Sequence, residues 1–142
     1  MVELGLALSL LTLGLAGTWQ FGYSFYTYNT LQSTIRNGAR YASLTEYDGG
    51  SGNGTSFSAR VKNVTVYGKP TPGTNDRPVV SGLTPSAIQV VTVRDTSGVP
   101  SRVTVQIQSF SLSTGLSGRF GGFTLQGKPS STFDYVGRYT VP

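Results

Sequence analysis

LGLALSLLTLGLAGTWQFGYSFYTYNTLQSTI, residues 4–35, contains no Asp, Glu, Lys or Arg. Its front, LGLALSLLTLGLAG, is almost pure hydrocarbon, and its rear, TWQFGYSFYTYNTLQSTI, is aromatic and polar. A helix from Glu3 to Glu46 is about 65 Å long at 1.5 Å per residue, roughly twice the hydrocarbon thickness of a bilayer. The apolar front can therefore span a membrane while the rear stands outside it. A secretory signal peptide fits poorly, because Glu3 sits where a cationic flank belongs and no small-x-small cleavage site precedes the aromatic run. A plain membrane anchor places Trp19, Tyr23 and Tyr26 near the interface, but needs neither Glu3 nor an uncharged aromatic extension.

At helical spacing the aromatic residues form two stripes, Trp19–Tyr23–Tyr26 and Phe21–Phe25–Tyr28, each following i, i+4, i+7 on a different face. A helix that is apolar on much of its circumference must be covered on much of its circumference. One small outer domain cannot wrap it, so the simplest partners are other copies of the same helix. Gly14, Thr18 and Gly22 recur every four positions and would let two backbones approach closely. Each glycine costs about 1 kcal/mol of helix propensity that packing must recover. The alternative is small residues scattered in an ordinary anchor. Glu3 suits a helix N-terminus, where its charge complements the macrodipole. Among apolar neighbours it needs a partner to offset desolvation. The free α-amine of an adjacent copy would serve and would fix axial register; the alternative is a solvated N-cap.

Composition narrows the function. The 142 residues include no Cys and no His, and only 12% are charged. Disulfides, thiolate chemistry and imidazole acid–base or metal chemistry are therefore excluded. The six carboxylates, Glu3, Glu46, Asp48, Asp76, Asp95 and Asp134, supply little raw material for a catalytic constellation. No enzyme, cofactor or metal site is expected. The net charge of +5 comes from scattered basic residues rather than a cluster, so nucleic acid is not an expected partner.

The ends of the helical segment, Val2-Glu3-Leu4 and Gly38-Ala39-Arg40-Tyr41-Ala42, resemble the TadE-like pseudopilins of tight-adherence secretion systems, within the wider type IV pilin-like group. The strand VTVQIQ and the closing FTLQGKPSSTFDY resemble the same family more loosely. The resemblance implies a subunit that waits in the inner membrane, is handled by membrane assembly machinery and enters an envelope-spanning filament. Glu3 stands two positions nearer the start than the family's acidic residue usually does, and Ser9 replaces a frequent proline.

Beyond the helix, assigned to residues 1–46, the stretch DGGSGNGTS reads as a flexible linker, residues 47–56. Residues 57–142 read as a β-rich outer domain. Period-two alternation predicts strands at 59–67, 87–94 and 102–110, and a final hairpin of 123–126 with 132–140 joined by GKPSS, Gly137 marking a bulge. Residues 68–85 carry four of the seven prolines and read as an irregular surface loop. No second helix is expected, so Leu31, Ile35, Ala39 and Ala42 should cover the sheet. The fold class is thus α+β: a long hydrophobic N-terminal helix followed by a small antiparallel sheet. Asn53 and Asn63 begin acceptor sequons for glycosylation.

The function expected is a structural filament subunit, a homopolymer packed through its N-terminal helices. It starts in the inner membrane and ends in a filament at the cell surface. Two alternatives stand beside it. One is a minor pseudopilin of a tight-adherence system. The other is a membrane-anchored binding module that reads a surface glycan through exposed residues such as Tyr135 and Tyr139.

Overall fold

The computed structural model describes residues 2–48, 56–96, 98–112 and 123–137. Helix α1 runs unbroken from Val2 to Leu44. Helix α2 spans Phe57–Tyr67, and a 3-10 turn at Pro85–Ala87 leads into the strands. These are β1 (Ile88–Arg94), β2 (Pro100–Ile107), β3 (Phe110–Leu112), β4 (Phe123–Leu125) and β5 (Ser130–Asp134). One sheet has the order β1-β2-β5, and a two-stranded sheet pairs β3 with β4, all antiparallel. The α+β arrangement of long apolar helix and small antiparallel sheet is the one the sequence implied.

The outer third of α1 covers the sheet. Leu31, Ile35, Ala39 and Ala42 are fully buried and join Val103, Val105, Ile107 and Ile88 in one core. That is the face expected from their helical spacing. The sheet's other face is a polar ladder: Gln106 donates to Gln89 at 2.7 Å, the Thr104 and Thr132 hydroxyls lie 2.9 Å apart, and Arg102 meets Asp134 at 3.3 Å.

Residues 59–67 are not a strand but the greater part of α2. The stretch is rich in β-branched residues, Val61, Val64, Thr65 and Val66, but position-specific chemistry at the two ends wins. Ser56 caps the helix, its Oγ accepting from the Ala59 N–H at 3.4 Å. Gly68 closes it at φ +74°, donating to the Val64 carbonyl at 2.9 Å. Phe57, Val61 and Thr65 then fall on one buried face. The core thus has a second helix, which the alternation hid.

The final hairpin is also corrected. Strand β4 pairs with β3, and β5 pairs with β2 in the other sheet. Phe133 and Ser131 turn inward while Thr132 and Asp134 meet the polar side chains of β2, a fit that pairing with β4 would forfeit. The predicted strand 102–110 breaks after Ile107. Its buried positions 103, 105 and 107 fall out of phase with the buried Phe110 and Leu112, so one continuous strand could not bury both sets.

The proline-bearing stretch is irregular, as its composition implied, though Val80 and Leu83 are driven into the core. It is tied by Lys69 to Asp76 at 2.9 Å and by the Gly73 N–H to Asp76 at 2.7 Å. Both contacts hold the Asp76 carboxyl below its ordinary range. Most of the predicted linker, residues 49–55, lies outside the described residues. Its Asp48 is engaged: the carboxylate accepts from the Phe57 N–H at 3.2 Å and pairs with Arg60 at 3.3 Å.

Candidate assembly surface on the N-terminal helix

Every residue of α1 from Val2 to Leu15 is exposed. Seven of them are leucines, at 4, 6, 8, 10, 11, 13 and 15. Burying a leucine is worth about 1.5–3 kcal/mol, so leaving all seven in water forgoes on the order of 10–20 kcal/mol. That rivals the entire stability of a typical domain, about 5–15 kcal/mol. The segment therefore requires a cover that the other described residues do not provide. Helix α1 as a whole, Val2–Leu44, is by length and composition long and apolar enough to cross a membrane.

Its hydroxyls are compatible with an apolar medium. Ser9, Thr12, Thr18, Ser24, Thr27 and Thr30 each donate to the carbonyl four residues back, at 2.8–3.0 Å. These six hydroxyls are satisfied within the helix, so lipid or another helix can cover them without stranding their donors.

The two aromatic stripes have different surroundings. Trp19, Tyr23 and Tyr26 border an open groove of about 700 Å³ together with Thr18 and Gly22. Trp19 is 70% exposed. Phe21, Phe25 and Tyr28 instead face the small sheet and frame a cleft of about 350 Å³ with Leu112 and Leu125. Of the small residues, Gly14 and Gly22 have open space where a side chain would be, with nothing within 4 Å. Thr18 spends its hydroxyl on the Gly14 carbonyl at 3.0 Å. Glu3 lies exposed in the first turn.

The opposite end of α1 is held by a clasp that sequence reading missed. The Val136 N–H donates to the Ser43 carbonyl at 3.0 Å, and the Tyr135 hydroxyl donates to the Thr45 carbonyl at 2.9 Å while accepting from the Tyr47 N–H at 2.9 Å. Carbonyls that a helix end leaves orphaned thereby find partners. Gly137 is no bulge, since β5 has ended at Asp134. A Cβ there would stand 2.7 Å from the Thr45 carbonyl oxygen, so the position requires close backbone approach. Tyr135 is consequently a half-buried structural residue rather than an exposed reader, and Tyr139 lies outside the described residues. Beside the clasp, Tyr47 packs edge-on against Phe57 at 5.0 Å, and Arg94 lies over its ring and bonds its hydroxyl.

Burial raises the Tyr135 hydroxyl above its ordinary value, outweighing the opposing effect of its bond from the Tyr47 N–H. The folded state thus holds this proton more tightly than the unfolded chain does. The resulting stability is complete below about pH 10 and is lost as pH rises through the folded-state value. Tyr135→Phe should cost about 1–2 kcal/mol in urea unfolding, because the Thr45 carbonyl loses its donor. The variant should also show a shallower loss of stability above pH 10; an unchanged midpoint and slope would dismiss the clasp.

Gly38, which the sequence marked only as part of the Gly-Ala-Arg element, has a packing role that sequence reading missed. It lies at the crossing of α1 and α2, where a Cβ would run into Thr65 Oγ1 and stand 3.0 Å from Thr65 Cβ. The Gly-Ala-Arg element thus has a local reason for its glycine, and Ala39 beside it is fully buried. Asn63 lies half-buried on α2, its side-chain amide donating to the Pro70 carbonyl at 3.1 Å. Asn53 lies outside the described residues. Among the described residues no cluster of acidic side chains is placed to hold a metal ion.

Neither the curated proteins nor the solved structures give a match to this chain. The apolar front, the glycine at the helix crossing and the resemblance read from both ends of α1 converge on one finding: residues 1–40 match the family model of TadE-like proteins.

Proposed function

We propose that the chain is a structural subunit of a type IV pilin-like, Tad-like filament. Its α1 front resides in the inner membrane before assembly and forms the filament core afterwards, with the β-rich domain outside. The observation that carries this reading is the exposed apolar half of a single helix whose other half is the core of the outer domain. The match of residues 1–40 to TadE-like proteins supports it. Copies of the same helix are the proposed cover. The Trp19–Tyr23–Tyr26 groove and the Gly14–Thr18–Gly22 stripe form the contact surface, and Glu3 sets register. Assembly machinery of the inner membrane is the second partner. Asn53 and Asn63 remain proposed glycan acceptors.

Changing Gly14 or Gly22 to Leu separates this reading from a membrane-anchored binding module. In lipid the added leucine is accommodated and helix propensity improves by about 1 kcal/mol. Between closely packed backbones the same bulk is excluded. The expected result is stable, membrane-inserted subunits with few or no filaments by electron microscopy. Normal filaments from both variants would favour the anchored module. The match to TadE-like proteins is equally compatible with a minor pseudopilin, and mass spectrometry of purified fibres separates the two. One abundant intact chain marks the repeating subunit, and a trace component marks the minor one.

A further inference from the structure

The charges on α1 are few and segregated. Glu3 is the one acid on the helix, and its cations, Arg36 and Arg40, lie together near the other end. Both arginines are exposed on a polar stripe that includes Asn29, Gln32, Ser33 and Asn37. Among the described residues neither has an acidic partner. Of the other cations, Arg60 meets Asp48, Lys69 meets Asp76, Arg102 meets Asp134 and Arg94 lies over Tyr47, while Lys62, Arg77 and Lys128 stand singly without an ion pair among the described residues.

Parallel helices packed without stagger would set Glu3 against Glu3 and the arginines against their equivalents, and like charges so placed repel. Glu3 and Arg36 are separated by about 50 Å of helix at 1.5 Å per residue, and Glu3 and Arg40 by about 55 Å. A second copy displaced along the axis by that distance replaces both repulsive contacts with one attractive one. Arginine is suited to the task, because its planar fork can grip a carboxylate with two parallel hydrogen bonds where water is scarce.

We infer that Glu3 of one copy docks on Arg36 and Arg40 of a second copy about 50 Å away along the filament axis, so that these three side chains set the stagger of assembly. The inference rests on the filament reading above and names the partner of Glu3 within it. It places the carboxylate on a cationic pair carried by a neighbour's outer helix, in preference to an adjacent α-amine.

The chain contains no cysteine, so an introduced pair reports without background. Filaments of the doubly substituted Glu3→Cys, Arg36→Cys chain, once oxidised, should run as a covalent ladder on a non-reducing gel. A control chain with Glu3→Cys and Asn29→Cys, two helical turns short of the site, should not. In the second arm, Glu3→Arg alone, and Arg36→Glu with Arg40→Glu alone, should each reduce filament yield by about tenfold or more while subunits stay in the membrane fraction. Combining all three changes should restore assembly. Filaments without a ladder, a ladder of equal strength in the control, or no rescue by charge exchange overturns this inference and leaves the filament reading standing. If the cysteine variants fail to polymerise, the charge-exchange arm decides alone. Absence of filaments from the unmodified chain overturns both.

Discussion

A chain lacking residues 1–28 is expected to be a soluble monomer that keeps both sheets and α2. The deleted segment carries nearly all of the large exposed apolar side chains of the helix, from Val2 to Tyr26. The residues that close the core, Leu31, Ile35, Ala39 and Ala42, all remain. So does the clasp at the far end, because Ser43, Thr45, Tyr47 and Tyr135 are untouched. The deletion uncovers Leu112 and Leu125, which flank the Phe21–Phe25–Tyr28 cleft. Two side chains cost far less than the seven leucines removed, at about 1.5–3 kcal/mol each when fully uncovered. Sedimentation velocity and circular dichroism test this directly. Material that still sediments as polymer, or that is monomeric but has lost its strand signal, shows that the front helix is not a separable assembly element.

In that soluble chain Gly38→Ala should destabilise folding by about 2–3 kcal/mol, even though alanine gains about 1 kcal/mol of helix propensity over glycine. The new methyl group would collide with Thr65, whose side chain is fully buried and whose hydroxyl is held by the Val61 carbonyl at 2.8 Å. Rotating the threonine away breaks that bond, and separating the helices opens the core around Val61. Gly38→Val should prevent folding of the outer domain altogether. Thr65→Ala in the Gly38→Ala background should recover part of the loss, because it removes the oxygen but leaves the Cβ contact at 3.0 Å. Urea midpoints of the two single variants and the double variant check this. Additive losses would mean that the two residues do not meet.

The front of the molecule was legible because its signals were long and redundant. An uncharged stretch that outruns a bilayer permits few readings, and helical spacing correctly put Leu31, Ile35, Ala39 and Ala42 on the buried face. The segment 57–67 misled because it is rich in β-branched residues and Val64-Thr65-Val66 alternates as in a strand, while the decision lay in two cap residues. Ser56 and Gly68, with Pro70 just beyond, carried the helix signal, and periodicity outweighed it in the reading. The strand break at 108–109 was legible as a phase slip between Ile107 and Phe110. The exchange of partners by β4 and β5 was not, since strand pairing depends on which side chains meet across the ladder. The Tyr135 clasp and the Gly38 crossing are long-range contacts between residues that look unremarkable in sequence. Glycine in a Gly-Ala-Arg element and in a Val-Gly-Arg element gave the one local hint.

Helix α1 passes from its exposed apolar front into the outer domain without a break, a proline or a hinge glycine between Tyr23 and Ile35. The domain is therefore keyed to its stalk like a flag fixed to a pole. One residue inserted between Tyr28 and Leu31 would turn it by about 100° and lift it by about 1.5 Å relative to the apolar front. In the proposed filament, whichever face the front helix turned to its neighbours would thus dictate which side of the outer domain looked outward. A pull on the stalk would likewise travel straight along the backbone into the core, with no elastic segment to absorb it.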